Sequence, residues 1–91
     1  MFEVRLRSKT VQRELDGLQK TDRGRVMSRL KGLVGEPRPH GCEKLLGDVY
    51  RVRVGDIRVI YLADEDNVRV EVGAIRRRSE KTYRWLEDLF R

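Results

Sequence analysis

The stretch VYRVRVGDIRVIYL, residues 49–62, constrains the fold more than any other part of the sequence. Apolar side chains alternate with polar ones on both sides of a Gly-Asp pair, and this is the period of a β-strand with one buried face. Glycine in the first central position of a two-residue turn is typical of a type II′ hairpin. The turn predicts a register in which Arg53 lies opposite Arg58.

In this register the hairpin has one apolar face and one basic face. Arg51, Arg53 and Arg58 come together on the basic face, while the apolar face is expected to pack against helices. Like charges directly across a strand pair destabilise a sheet by about 0.2 to 1 kcal/mol, so we expect an anion to offset the repulsion. The alternative is an ordinary solvated face on which the long side chains splay apart. The apolar face consists of Tyr50, Val52, Val54, Ile57, Val59 and Tyr61.

A third strand and a basic segment follow the hairpin. The third strand is expected at residues 67–75, and strict alternation carries its polar face on to Arg77, beside the basic face. Arg76 and Arg78 flank Arg77, and Tyr83 follows. A basic surface with an aromatic ring at its edge suits RNA, although packing within a helix is the alternative for this tyrosine. The apolar set of the third strand is Val68, Val70, Val72 and Ala74.

The rest of the chain predicts an α+β fold in a single domain, residues 1–91. A short N-terminal strand precedes a helical hairpin, and the antiparallel three-strand meander completes a twisted sheet before a short C-terminal helix. The expected caps are Ser8 for the first helix and Thr21 or Asp22 for the second, which ends at Gly35. The expected segments are a loop at 36–48, strands at 49–54 and 57–63, and a final helix that begins near Ser79.

The charge of the chain favours a nucleic acid partner. The net charge is +6, and 16 of the 21 basic residues are arginine, whose planar guanidinium binds phosphate oxygens in a forked geometry. Cys42 is the single cysteine of the chain, so it cannot form an internal disulfide. Together with the single His40 it supplies too few ligands for a zinc site, and we expect no metal and no cofactor. No apolar run has the length of a signal peptide or a membrane span, so a cytoplasmic protein is expected.

The segments YRVRVGDIRVIY and RRRSEKTY together resemble the RelE side of the RelE/ParE toxin superfamily, and the order of elements agrees with that fold. The resemblance implies the toxin of a type II toxin-antitoxin system. Such a toxin cleaves messenger RNA in the ribosomal A site without a metal, through attack of the 2′-hydroxyl on the adjacent phosphate. It also implies a cognate antitoxin, in a hetero-oligomer with the toxin, and the ribosome with its messenger RNA as partners.

The resemblance also assigns roles to individual residues. Arg53 matches the position that abstracts the proton, Arg58 stabilises the transition-state phosphate, Arg77 protonates the leaving 5′-oxygen, and Tyr83 stacks on the substrate base. Arg51 matches a further basic residue of the first hairpin strand. The family pattern has lysine where this chain has Arg53, and because a guanidinium is a poor general base, this residue is expected to act mainly by electrostatics.

Two further observations complete the expected site. Arg76 stands where the family often has histidine, so no histidine assists there, and we assign Arg51, Arg76 and Arg78 to RNA binding. Two other functions stay open: a ParE-like toxin that inhibits DNA gyrase, and a basic RNA-binding module without catalytic activity.

Overall fold

A computed structural model describes residues 1–77 and shows two helices and five strands in that range. The expected C-terminal helix, together with Arg78 and Tyr83, lies outside the described residues. The elements in chain order are β1 (Glu3–Leu6), α1 (Lys9–Asp16), α2 (Lys20–Gly35), β2 (Glu43–Leu46), β3 (Val49–Val54), β4 (Ile57–Asp64) and β5 (Arg69–Arg77).

The strands form one mixed sheet in the order β1-β5-β4-β3-β2. The first strand pairs in parallel with the last, from Glu3 opposite Arg69 to Leu6 opposite Val72, and the other neighbours are antiparallel. The α+β class, the N-terminal strand, the helical hairpin and the antiparallel meander are confirmed. In the described part of the chain, no helix is long and apolar enough to cross a membrane.

The helix boundaries follow local sequence signals only in part. Ser8 caps α1 as expected, because its Oγ accepts a hydrogen bond from the Val11 N–H at 3.4 Å. The prediction of Thr21 or Asp22 as the cap of α2 is wrong, since the helix already begins at Lys20, and the cap, Gln19, makes no side-chain hydrogen bond. The Asp22 carboxylate therefore lies within the first turn of α2, where it is close to the sheet.

The predicted loop at 36–48 contains a short edge strand, β2, that the sequence analysis missed. Its four residues, EKLL, do not alternate between apolar and polar side chains, so they carry no local strand signal. Pairing with β3 creates the strand, with Glu43 opposite Arg51 and Lys44 opposite Tyr50. A long-range contact thus decides the conformation of this segment.

A network of aromatic rings anchors the same loop to the sheet. The rings of Tyr50 and Tyr61 stack with their centroids 6.0 Å apart. Arg38 donates to the Tyr50 hydroxyl at 2.8 Å and lies over that ring, while the buried Tyr61 hydroxyl donates to the Pro37 carbonyl at 2.7 Å. Burial raises the pKa of Tyr61 well above its ordinary value, so this hydroxyl stays protonated and remains a donor.

The main core lies between the helices and one face of the sheet. The predicted apolar face of the hairpin is confirmed, because all of its residues join this core. Leu33 of α2, and Ile57 and Tyr61 of β4, are among its largest fully buried side chains. A smaller apolar cluster of Val49, Ile60 and Ala74 lies apart from this core. It lies on the opposite face, because Ile60 pairs with Arg51 and with Ala74.

The connection between β4 and β5 differs from the prediction at Val68. This residue is exposed, precedes β5 and has a φ of +51°, so it does not belong to the apolar set of the strand. Its backbone nevertheless makes two hydrogen bonds, from its N–H to Glu65 O at 3.2 Å and from Glu3 N–H to its carbonyl at 2.9 Å. These bonds hold a β-branched residue in the left-handed region, which L-residues with a branched Cβ disfavour.

Candidate functional site

The hairpin has the predicted register and turn. Arg53 lies directly opposite Arg58, and Arg51 lies opposite Ile60. Gly55 has a φ of +63°, whereas Asp56 has no positive φ, as a type II′ turn requires. The prediction that Arg51, Arg53 and Arg58 share a face is therefore confirmed.

The three arginines of the basic face differ in exposure. Arg53 is exposed and forms no ion pair with another residue of the range 1–77. Arg51 and Arg58 are each only 8% exposed, and they are the charged residues that the described part of the chain buries. Arg51 is held by an ion pair with Glu43 of β2, an acid that the sequence analysis missed together with its strand.

A β-bulge in β5 changes which arginine joins the basic face. Ile60 pairs with Ala74 and Tyr61 pairs with Val72, so Gly73 is the extra residue between them. The alternation reverses after this bulge, and Ala74 joins the outer cluster while Ile75 joins the main core. The prediction that Arg77 joins the basic face is therefore wrong, because one inserted residue moves all later side chains to the other face.

Arg76, and not Arg77, consequently lies opposite Arg58. Arg53, Arg58 and Arg76 form a row across β3, β4 and β5, which we call the arginine row. The Glu14 carboxylate of α1 pairs with the Arg76 guanidinium and accepts a hydrogen bond from the Ile75 N–H at 3.2 Å. This acid therefore fixes both the backbone and the side chain of β5 just after the bulge.

Arg77 lies opposite Ile57 and so extends from the other face of the strand. Its guanidinium donates to both carboxylate oxygens of Asp56, at 2.7 and 2.9 Å, and to Asp22 of α2 at 3.1 Å. These hydrogen bonds, above all the one to Asp22, raise the pKa of Arg77 above its ordinary value. A cation stabilised in this way is a poor proton donor.

A cavity of about 270 Å³ lies beside the arginine row and is lined by Arg53, Gly55, Asp56 and Arg58. It brings one buried and one exposed guanidinium to the same space. Guanidinium groups bind the oxygens of a phosphate through paired hydrogen bonds, so this cavity can hold an anionic phosphodiester. The cavity also contains the Asp56 carboxylate, which is paired with Arg77. The structure thus brings Arg51, Arg53, Arg58 and Arg76 to one face, and Arg77 extends from the other face and, within the described range, contacts this cavity only through Asp56.

Comparison with known proteins agrees with this architecture. A family model described as the ParE toxin of the type II toxin-antitoxin system parDE matches residues 6–82. No curated protein matches the sequence. Among solved structures, the RelE-RelB complex from the archaeon Pyrococcus horikoshii OT3 shows 27% identity and a TM-score of 0.74, covering 87% of this chain and 97% of that chain.

Two structures from E. coli are similar in fold. The isolated E. coli RelE toxin shows 18% identity and a TM-score of 0.75, covering 99% of this chain and 100% of that chain. The intact E. coli RelBE toxin-antitoxin complex shows 17% identity and a TM-score of 0.76, covering 88% and 100% of the respective chains.

Proposed function

Since the chain belongs to the ParE toxin family of type II toxin-antitoxin systems, within the RelE/ParE superfamily, we propose that it is a ribosome-dependent messenger RNA endonuclease. The RNA 2′-hydroxyl attacks the adjacent phosphorus and loses its proton to water, and the bond to the 5′-oxygen breaks. The 5′-oxygen takes up a proton from water, so the products carry a 2′,3′-cyclic phosphate and a 5′-hydroxyl. No metal takes part in this step. Cutting in the ribosomal A site would arrest translation, and the activity would take place in the cytoplasm.

The arginine row carries this proposal. Negative charge grows on the phosphate oxygens as the 2′-oxygen attacks, and fixed cations at that point lower the barrier. Arg58 is suited to this role, because its side chain is buried and lies between Arg53 and Arg76 in the ladder. Charges interact more strongly where water is excluded, so the buried Arg58 contributes the largest share.

The other residues support binding and orientation of the RNA. Arg53 is exposed at the cavity and meets the incoming phosphate electrostatically, since a guanidinium does not accept a proton at cellular pH. Arg51 and Arg78 add charge for RNA binding, and Tyr83 stacks on the substrate base. The family pattern assigns Arg77 to protonation of the leaving oxygen, but Arg77 pairs with Ile57 and lies on the face opposite to the arginine row, where Asp22 and Asp56 hold it. We therefore assign the contact with the scissile region to Arg76.

A cognate antitoxin is the proposed protein partner, in a toxin-antitoxin hetero-oligomer. Two of the similar structures, one from P. horikoshii and one from E. coli, are complexes of a toxin with its antitoxin. An apolar groove of about 720 Å³ between the helices and β1 offers a surface for such a chain. Its apolar residues include Leu6, Met27 and Val34, and Lys20 and Lys31 also line it, which suits an amphipathic acidic segment.

The alternative function is inhibition of DNA gyrase. The matching family model favours it, because that model describes ParE toxins. In this case the chain would bind its target without cutting RNA, and the arginine row would not be needed for toxicity.

Induced expression with primer extension on a translated transcript separates the two functions. The nuclease proposal expects cuts within reading frames that depend on ribosomes, and Arg58→Ala should abolish them. Arg13→Ala is the matched control, because Arg13 is an exposed arginine on α1 and lines none of the cavities described above. Intact transcripts together with a loss of DNA supercoiling would refute the nuclease proposal and support gyrase as the target.

A further inference from the structure

We propose that a groove between α2 and the β3-β4 hairpin binds the phosphate backbone of RNA next to the scissile site. This inference rests on the proposed nuclease function, because it extends the path of the RNA beyond the cavity at Arg58. The RNA can be the messenger strand itself or ribosomal RNA beside the A site, since both present the same sugar-phosphate chemistry.

The groove encloses about 680 Å³, and the charged residues that line it within the described range are all basic. Arg25 and Arg29 are four residues apart on α2, so their side chains lie on one side of the helix. Arg53 approaches from the hairpin. Arg29 and Arg53 form no ion pair among residues 1–77, and Arg25 has a single long contact, 3.9 Å from Asp22. These cations are therefore available to an anion.

The floor of the groove lacks large side chains. Gly24, Ser28 and Gly32 recur every four residues along the same side of α2 and line the groove. A Cβ at Gly24 or Gly32 would meet no described atom within 4 Å, so packing in this part of the chain does not require glycine. Glycine inside a helix destabilises it relative to alanine. Close approach of an RNA backbone to α2 explains why glycine stands at these two positions.

The groove is continuous with the candidate site through Arg53, which lines both the groove and the smaller cavity at Arg58. Arg25 lies across the hairpin turn, where a Cβ at Gly55 would be only 3.2 Å from its Nη1 atom. A strand whose scissile phosphate lies beside Arg58 can therefore pass its neighbouring phosphates to Arg53, Arg25 and Arg29 in turn.

RNA fits this surface better than an acidic protein segment does. A protein partner is anchored chiefly by apolar and aromatic side chains in pockets, and among residues 1–77 Val54 is the one apolar side chain that lines this groove. The neighbouring apolar groove, which shares Gly24 with this one, has the character of a protein-binding surface instead. A basic, polar groove without apolar anchors is typical of contact with a phosphate backbone.

Binding measurements with Arg25→Gln/Arg29→Gln test the inference. The matched control is Lys9→Gln/Arg13→Gln, which removes two exposed cations at the same spacing on α1, away from both grooves. The probes are a single-stranded 2′-O-methyl RNA, which lacks the attacking hydroxyl, and salt-washed ribosomes. On a single strand each neutralised phosphate contributes about 0.7 to the slope of log K against log salt, so the groove variant should flatten that slope by about 1.4.

Each outcome of this comparison decides the inference. Weaker binding of the groove variant to the oligonucleotide indicates that the groove binds the messenger strand. Weaker binding to ribosomes alone indicates that it binds ribosomal RNA. Binding of the groove variant equal to that of the control, on both probes, would overturn the inference. So would a loss of affinity confined to polyglutamate, which is measured as a third probe and represents an acidic protein segment without phosphate. Failure of the nuclease proposal is recognised separately, because it requires uncut transcripts with the wild-type chain.

Discussion

Arg58 on β4 and Arg76 on β5 face each other directly across the antiparallel ladder. The bulge at Gly73 creates this relationship, and Arg53 on the far side of Arg58 completes the arginine row. Such a row is unfavourable in the absence of an anion, because cross-strand like charges repel. Glu14 neutralises Arg76 at one end, whereas Arg53 at the other end is exposed beside the cavity. The row therefore presents its unneutralised end to a ligand.

Replacement of Arg58 should remove most of the proposed RNA cleavage. Arg58→Ala deletes a preorganised donor at the developing charge, and comparable losses in other enzymes cost about 100-fold to 1,000-fold in rate. Arg58→Lys keeps the positive charge but lacks the planar guanidinium. Its cleavage rate should lie between that of the wild type and that of Arg58→Ala. Single-turnover cleavage of ribosome-bound message measures both, and thermal unfolding confirms that each variant is folded. A folded Arg58→Ala with the wild-type rate would contradict the assignment.

Arg76→Gln should reduce cleavage more than Arg77→Gln. Loss of a charge-assisted hydrogen bond from Arg76 to phosphate predicts a decrease of about tenfold or more. Arg77 lies on the other face and is bound to Asp22 and Asp56, so its replacement should matter less.

The same cleavage assay with Glu14→Gln separates two explanations for a loss of activity in Arg76→Gln. In Glu14→Gln the charge of Arg76 is kept, but the carboxylate that holds Arg76 in place is lost. Equal losses in Glu14→Gln and Arg76→Gln would indicate a positioning role for Arg76. A greater loss in Arg77→Gln than in Arg76→Gln would reverse the assignment.

The pH dependence of cleavage should have the same shape in the wild type and in Arg53→Gln. Guanidinium groups do not titrate in the range of pH 6 to 9, so removal of Arg53 lowers the rate at every pH without shifting an inflection. Arg53→Lys introduces an amine that ordinarily titrates at about 10.4. Above about pH 9 the cleavage rate of this variant should therefore rise relative to the rates of the wild type and Arg53→Gln. An inflection present only in the wild type would show that Arg53 acts as a base.

Val68→Asn should stabilise the fold by about 1 kcal/mol, because it relieves the cost of a left-handed backbone at a β-branched residue. Valine is poorly suited to the left-handed φ of +51° that it adopts, whereas asparagine tolerates that region. Both hydrogen bonds at this position involve the backbone and are retained. Urea unfolding measures the change, with Val68→Thr as the control that keeps the branched Cβ and should leave stability unaltered. No gain in Val68→Asn would argue against strain at this turn.

The contribution of Asp64 to stability should depend on pH. Its carboxylate accepts hydrogen bonds from the Asn67 side chain at 2.8 Å and from the Asn67 N–H at 3.2 Å, and these lower the pKa of Asp64 below the ordinary 3.8. A lowered pKa means that the stabilisation is complete above about 3.8 and is lost as the pH falls through the folded-state value.

The difference in urea midpoint between the wild type and Asp64→Ala tests this dependence. We expect the difference to be larger at pH 7 than at pH 2.5. A constant difference would indicate that the carboxylate charge plays no part in the turn.

Local sequence patterns were sufficient to predict the hairpin and its apolar face. The alternation in residues 49–62 and the Gly-Asp turn are local signals, and together they specify the register that places Arg53 opposite Arg58. Ser8 as the cap of α1 was predictable for the same reason, since the capping hydrogen bond joins residues three positions apart. The resemblance to the toxin superfamily rested on these same local patterns.

Long-range pairing between strands determines which arginines lie next to one another. The bulge at Gly73 reverses the alternation of β5. No periodicity in the sequence predicts this bulge, because the extra residue is defined only by the pairing of β5 with β4. Pairing with β3 likewise created β2 and brought Glu43 to Arg51. Contacts between residues far apart in the chain determine the burial and the partners of each guanidinium. A local sequence pattern cannot predict such contacts.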